Sequence, residues 1–130
     1  MDSEDKLEKI CQKIIRLDPK MRSARLINSR GHLIAGGMKE GVFSLEAQKQ
    51  DEMMFMELAL RVRMRREFDH EFGEVHFSMS YRDKVIVMSF PLNNDDVLLL
   101  SCEKEIDFGK LPFKVLKIIE LLKKSPTKTF

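Results

Sequence analysis

The sequence predicts an α+β fold. A five-stranded antiparallel sheet lies between one long helix on one face and two helices on the other, in the order helix, strand, strand, helix, strand, strand, strand, helix. Three patterns carry that expectation. Apolar residues recur at helical spacing in three segments, Leu7 to Ile15, Met53 to Val62 and Phe113 to Leu122. They alternate with polar residues at a period of two from Val75 to Tyr81. Val97 to Leu100 is an uninterrupted apolar run, the mark of a central strand covered on both faces, which a single helical layer cannot supply.

The elements follow in order. Leu7, Ile10, Cys11, Ile14 and Ile15 occupy one side of a first helix with Ser3 as its N-cap, and Asp18-Pro19 ends it because a residue before proline is pushed out of the α region. Lys20 to Ile27 and His32 to Ala35 read as a hairpin, joined through Asn28-Ser29-Arg30-Gly31 with Asn opening and Gly closing a type I turn with a bulge. Gly36-Gly37 and Gly41 then predict a flexible connector into Ser44, the expected cap of a second helix from Leu45 to Phe68 that Gly73 brings to a stop.

Strand three is expected at Val75 to Tyr81, a tight turn at Arg82-Asp83, strand four at Val85 to Phe90, a turn at Pro91 to Asp95, and strand five from Val97 into Ser101 and Cys102. Glu103 to Lys110 is a polar connector, and Pro112 suits the first turn of a last helix. Phe113, Leu116, Ile119 and Leu122, with Val115 and Ile118 beside them, are its expected buried side. Ser125-Pro126 ends it, leaving a single domain over 1–124 and a loose tail over 125–130.

Met53 to Val62 stands apart from the other helical segments. Met53, Met56, Leu60 and Met64 fall on one side, while Met54, Phe55, Leu58, Ala59 and Val62 cover most of the other. A sheet can bury one side of a helix. The second side requires another cover.

Composition narrows the function. With 130 residues, 43% hydrophobic and 34% charged, the chain can bury roughly two-thirds of the surface its unfolded form exposes. Its 23 Lys and Arg against 21 Asp and Glu leave a net charge of +2, too even for a dedicated nucleic-acid binder. The polar, acidic N-terminus is neither a secretory signal nor a transit peptide, and no apolar run approaches the ~18 residues of a membrane span, so a cytoplasmic protein is expected. Cys11 and Cys102, in apolar surroundings, read as small buried hydrophobes and not as a disulfide.

Arg25-Leu26-Ile27-Asn28-Ser29-Arg30-Gly31-His32-Leu33-Ile34-Ala35-Gly36, a strand, a polar turn closed by Gly and a strand ending in small residues, resembles the first hairpin of the roadblock (dynein light-chain-like) domain of the profilin-like fold. The element order over residues 3–124, the long second helix and the central fifth strand resemble that family too. The resemblance implies a homodimer in which second helices pack together and third strands pair edge to edge, without an active site or cofactor, acting as an adaptor or as a regulator of small Ras-like GTPases. It matches Met53 to Met64 to the interface helix and Val75 to Tyr81 to the edge strand; Met53, Met56, Leu60, Met64, Val75, Phe77 and Met79 are the expected interface residues and Met54, Leu58 and Val62 the expected sheet side, while which side of the helix meets the sheet stays open at the level of sequence. The strand agrees on its own terms, since no Pro or Lys between Val75 and Tyr81 blunts its edge. PAS and GAF sensor domains share the general plan, and a small-molecule sensor is the alternative.

Other motifs give weaker signals. Arg61, Arg63, Arg65 and Arg66 could dock an acidic partner, but they point in separate directions among Glu57, Glu67, Asp69 and Glu71, as in a salt-bridged helix end. His70 and His76 lack a metal-ligand spacing, so no metal is assigned. Gly36 to Gly41 lacks both the Gly-Lys-Ser/Thr ending and the Gly-x-Gly-x-x-Gly spacing of nucleotide loops. No nucleophile and base pair stands out, and a non-enzyme is expected.

Overall fold

Ile10, Cys11, Ile14 and Ile15 share one side of a helix, and in the computed structural model that helix, α1 (Ser3–Ile15), buries all four against the sheet. The structure describes residues 3–123, with side chains from residue 5 onward. The capping side chain expected at Ser3, the stop at Ser125-Pro126 and the tail to Phe130 lie outside the described residues.

Strands β1 (Met21–Ile27) and β2 (Leu33–Met38) form the expected hairpin. The Gly31 N–H donates to the Asn28 carbonyl at 2.9 Å, and Asn28 Oδ1 accepts from the Arg30 and His32 amides at 2.9 and 3.0 Å. Gly31 adopts φ +79°, which a side chain would strain. The second strand runs further than expected. Gly36 and Gly37 do not begin a flexible connector; they pair opposite Arg25 and Ala24 within β2. Packing explains the two glycines unequally: a Cβ on Gly36 would stand 2.1 Å from the Ala24 carbonyl oxygen and 2.9 Å from Cys11 Sγ, so a hydrogen alone fits there.

Helix α2 (Gln48–Arg65) begins later and ends sooner than expected. Ser44 does not cap it; its hydroxyl bonds Glu46, while Ala47 is the N-cap residue and Gln50 Oε1 accepts the Ala47 N–H at 3.0 Å. A 3-10 turn (Arg66–Phe68) and a single helical turn, α3 (Asp69–Phe72), lead to Gly73, whose φ of +82° stops the coil. The third strand is also shorter. It is β3 (Ser78–Tyr81), and Val75 to Phe77 precede it outside the ladder. In the observed register His76 would fall opposite Pro91, which has no N–H to give.

Strands β4 (Ile86–Pro91) and β5 (Val97–Cys102) complete a five-stranded sheet in the order β2-β1-β5-β4-β3, each neighbour antiparallel. Strand β5 is central and covered on both faces, as its apolar run requires. Leu98, Leu100 and Cys102 join a core with α1 and the last helix, α4 (Leu111–Lys123), whereas Val97 and Leu99 join a smaller core with Ile27 and with Phe55, Leu58 and Val62 of α2. Two helices therefore cover one face and α2 the other.

One expectation fails in α4. Its buried side is Leu111, Pro112, Val115 and Ile119, while Phe113 is 53% exposed and meets Phe77 edge-on with ring centroids 5.6 Å apart. Leu111 and Val115 each lie two residues away, about 160° round the helix, so turning them to the sheet turns Phe113 outward.

Candidate functional site

Helix α2 is apolar on two opposed faces. Phe55, Leu58, Ala59 and Val62 are buried, and Met54 packs partly against the same small core. Met53, Met56, Leu60 and Met64 are 66%, 63%, 50% and 60% exposed. Steps of three, four and four residues hold this second set within an arc of about 80°, nearly opposite the first. The spacing continues beyond the helix into two residues that sequence reasoning passed over: Phe68 and Phe72 are both exposed, their rings stacked 6.0 Å apart. The signal was present as two further steps of four, masked by the charges around them.

The hairpin borders this ridge. Leu33 pairs opposite Ile27 and so stands on the α2 side of the sheet, where it is exposed. Sequence reasoning missed it as well, since nothing local shows which face a hairpin residue will share.

Strand β3 supplies something different from the expected apolar side chains. Met79 lies opposite Met88, and Phe77 stacks on Phe90 at 5.7 Å, so both side chains lie on the α1 and α4 face, away from the ridge. Ser78 and Ser80 alternate with them toward α2, and Arg65 reaches the Ser78 hydroxyl. Val75 is partly buried beside a groove shared with Val62, His76 and Pro91. As the last strand in the sheet, β3 also presents its backbone edge.

The four arginines do not form one patch. Arg61 pairs with Glu57 at 2.6 Å one turn back, and Arg63 donates to the Ser29 carbonyl at 3.3 Å. Arg66 pairs with Asp95 in the β4–β5 turn, and Arg65 is held at Ser78. They brace the borders of the ridge and the end of α2.

A buried arginine under the start of α2 was not foreseen. Arg25, 5% exposed, donates to Asp51 Oδ1 at 3.2 Å and to Met38 Sδ at 2.8 Å, and lies 5.6 Å over the Phe55 ring. Burial and a hydrogen bond with Glu46 raise the Asp51 pKa above its ordinary range, against the pull of Arg25. Burial alone would raise Glu46 too, but hydrogen bonds from Ser44, its own backbone and Asp51, with the Arg25 charge, bring it below the ordinary value. The two carboxyls thus share a hydrogen bond in which Asp51 retains its proton more readily. The cluster ties the connector to α2.

Cys11 and Cys102 are buried free thiols whose pKa values burial pushes up to about 12. Among the described residues no group of three or more His, Cys, Asp or Glu could hold a metal ion. His70 sits on α3, and His76 lines the polar groove with Arg65, Arg66 and Asn93. None of the described helices is long and apolar enough to cross a membrane.

A central β5, an edge β3 and a long helix alone on one face of the sheet give the chain the fold seen in roadblock-type domains. The chain belongs to a family of unknown function, DUF6659, whose pattern matches residues 4–130. No curated protein matches it. Solved structures do. The roadblock/LC7 domain from Streptomyces avermitilis superposes with a TM-score of 0.69 at 13% identity, over 90% of this chain and 94% of that one. MglB from Myxococcus xanthus gives 0.70 at 14% identity, over 92% and 93%, and an MglB with a tetrameric arrangement gives 0.69 at 10%, over 93% of each. At these identities the likeness establishes the fold.

Proposed function

We propose that the chain is a non-enzymatic regulatory or adaptor module that works as a homodimer, with the outer ridge of α2 packed against its twin and the β3 edges paired alongside. The observation that carries this reading is the exposure of Met53, Met56, Leu60 and Met64 on a helix whose opposite side already lies in the core. A monomer rarely leaves a contiguous apolar patch of more than a few hundred Å² in water. Flexible methionines also suit a surface that must fit a copy of itself. The Glu57–Arg61 pair gives the ridge a polar rim, and β3 lacks the Lys or Pro that would guard an open edge.

A twin is favoured over an unrelated cover because a two-fold contact buries the same ridge on both copies at once. That an MglB of this fold has a tetrameric arrangement supports an assembly of like chains. For the role of the dimer we infer regulation of a small Ras-like GTPase, on the strength of the roadblock resemblance.

Light scattering at micromolar concentration tests the dimer. The wild-type chain should have twice the monomer mass and keep it in high salt, because apolar burial and not exposed charge holds the contact. Leu60→Glu should shift it to monomer, and a monomeric wild type would overturn the reading. The partner class is tested separately, by whether the dimer retains a purified small GTPase from the source cell and alters its nucleotide hydrolysis or exchange.

A further inference from the structure

On the opposite face of the sheet, α4 and the side chains of β3 on that face display a second apolar surface that the α2 ridge does not use. Phe113, Lys117, Leu121 and Lys114 are all exposed and share an arc of about 100° on α4. Phe113 leans on Phe77, and Tyr81, on the same face of β3, meets Phe108 edge-on at 6.0 Å. Lys104 Nζ lies 4.5 Å over the Tyr81 ring. The result is a row of large apolar groups with lysines along it.

Charge is concentrated here. Among the described residues from Lys110 to Lys123 there are four lysines and a single acid, Glu120, which helical spacing places beside Phe113. The occupant must therefore be anionic, and must accept a convex helix ridge carrying Phe and Leu. An acidic peptide would need a groove to lie in. A bilayer surface needs none: Phe113 and Leu121 can enter the headgroup boundary while Lys114 and Lys117 extend to anionic lipids.

We propose that the α4 face, with Phe108 and Tyr81 at its margin, is a peripheral docking surface for membranes rich in anionic lipids. Its α4 residues lie on the sheet face opposite the α2 ridge, so a dimer could carry them even with Tyr81 at the paired β3 edge.

Cosedimentation of the full chain with phosphatidylcholine vesicles, with and without phosphatidylserine, tests this. Binding should require phosphatidylserine and fall in high salt. Lys114→Glu with Lys117→Glu should weaken it by roughly tenfold or more, and Leu121→Gln should weaken it without altering the salt dependence. All three positions are exposed, and both variants should keep the wild-type oligomeric state and melting temperature, which separates this outcome from any failure of the dimer. A wild-type chain that stays in solution with both vesicle types overturns the proposal, and so does binding that the variants leave intact. If the chain ignores vesicles but binds polyglutamate, the face serves an acidic protein and the membrane reading is wrong.

Discussion

A Cβ placed on Gly31 would stand 2.8 Å from the Cα of Met56: the tip of the β1–β2 hairpin is seated directly on the helix that carries the exposed ridge. Gly31 also holds φ +79°, so an alanine there meets both a backbone clash and left-handed strain. Gly31→Ala should cost about 2 kcal/mol or more in urea unfolding. By displacing α2 it should weaken the proposed dimer as well, read as a higher concentration for half-dissociation.

The two glycines of β2 should separate cleanly. Gly36→Ala puts a methyl into the Ala24 carbonyl and against Cys11 and should destabilise by about 3 kcal/mol or more. Gly37→Ala, with nothing within 4 Å, should change stability by no more than about 0.5 kcal/mol. Thermal melts of the pair decide it, and equal losses would contradict the packing of α1 on β2.

Cys11 and Cys102 should resist thiol reagents in the native state. Reaction requires the thiolate, and burial pushes both pKa values up to about 12. At pH 8 a chromogenic disulfide should titrate neither thiol in buffer and both in urea. Rapid native labelling would show that one of these core positions opens.

The Glu46 and Asp51 carboxyls should give opposite pH signatures. Asp51 has a raised pKa, so it binds its proton more tightly folded than unfolded; the stability it contributes is complete below 3.8 and is lost as pH rises through the folded value. Asp51→Asn should therefore gain on the wild type as pH rises above 3.8. Glu46 has a lowered pKa and contributes stability above 4.5 that is lost as pH falls through its folded value. Glu46→Gln should be less stable than wild type at neutral pH, with the gap closing in acid. Unfolding free energies across that range measure both trends.

Much of the architecture was readable without coordinates because its signals are local. Period-two alternation, helical spacing, the Asn28 to Gly31 turn and Pro112 each depend on a few neighbouring residues. The double cover on β5 followed from four consecutive apolar residues that no single face could bury. Boundaries were less legible: Ser44 is a good cap by type, yet its hydroxyl is taken by Glu46, and β3 stops short where Pro91 lies across from His76.

What the sequence by itself determined is that α2 carries two apolar faces, of which one sheet can cover only one, since side-chain type and spacing alone impose that. The tertiary structure decided which face is buried and which is left exposed. Pairing register sent Phe77 and Met79 to the side away from α2, core packing turned Phe113 to solvent, and long-range partners such as Ser29, Ser78 and Asp95 drew the arginines apart. Those outcomes depend on contacts between residues distant in the chain, and no local periodicity encodes them.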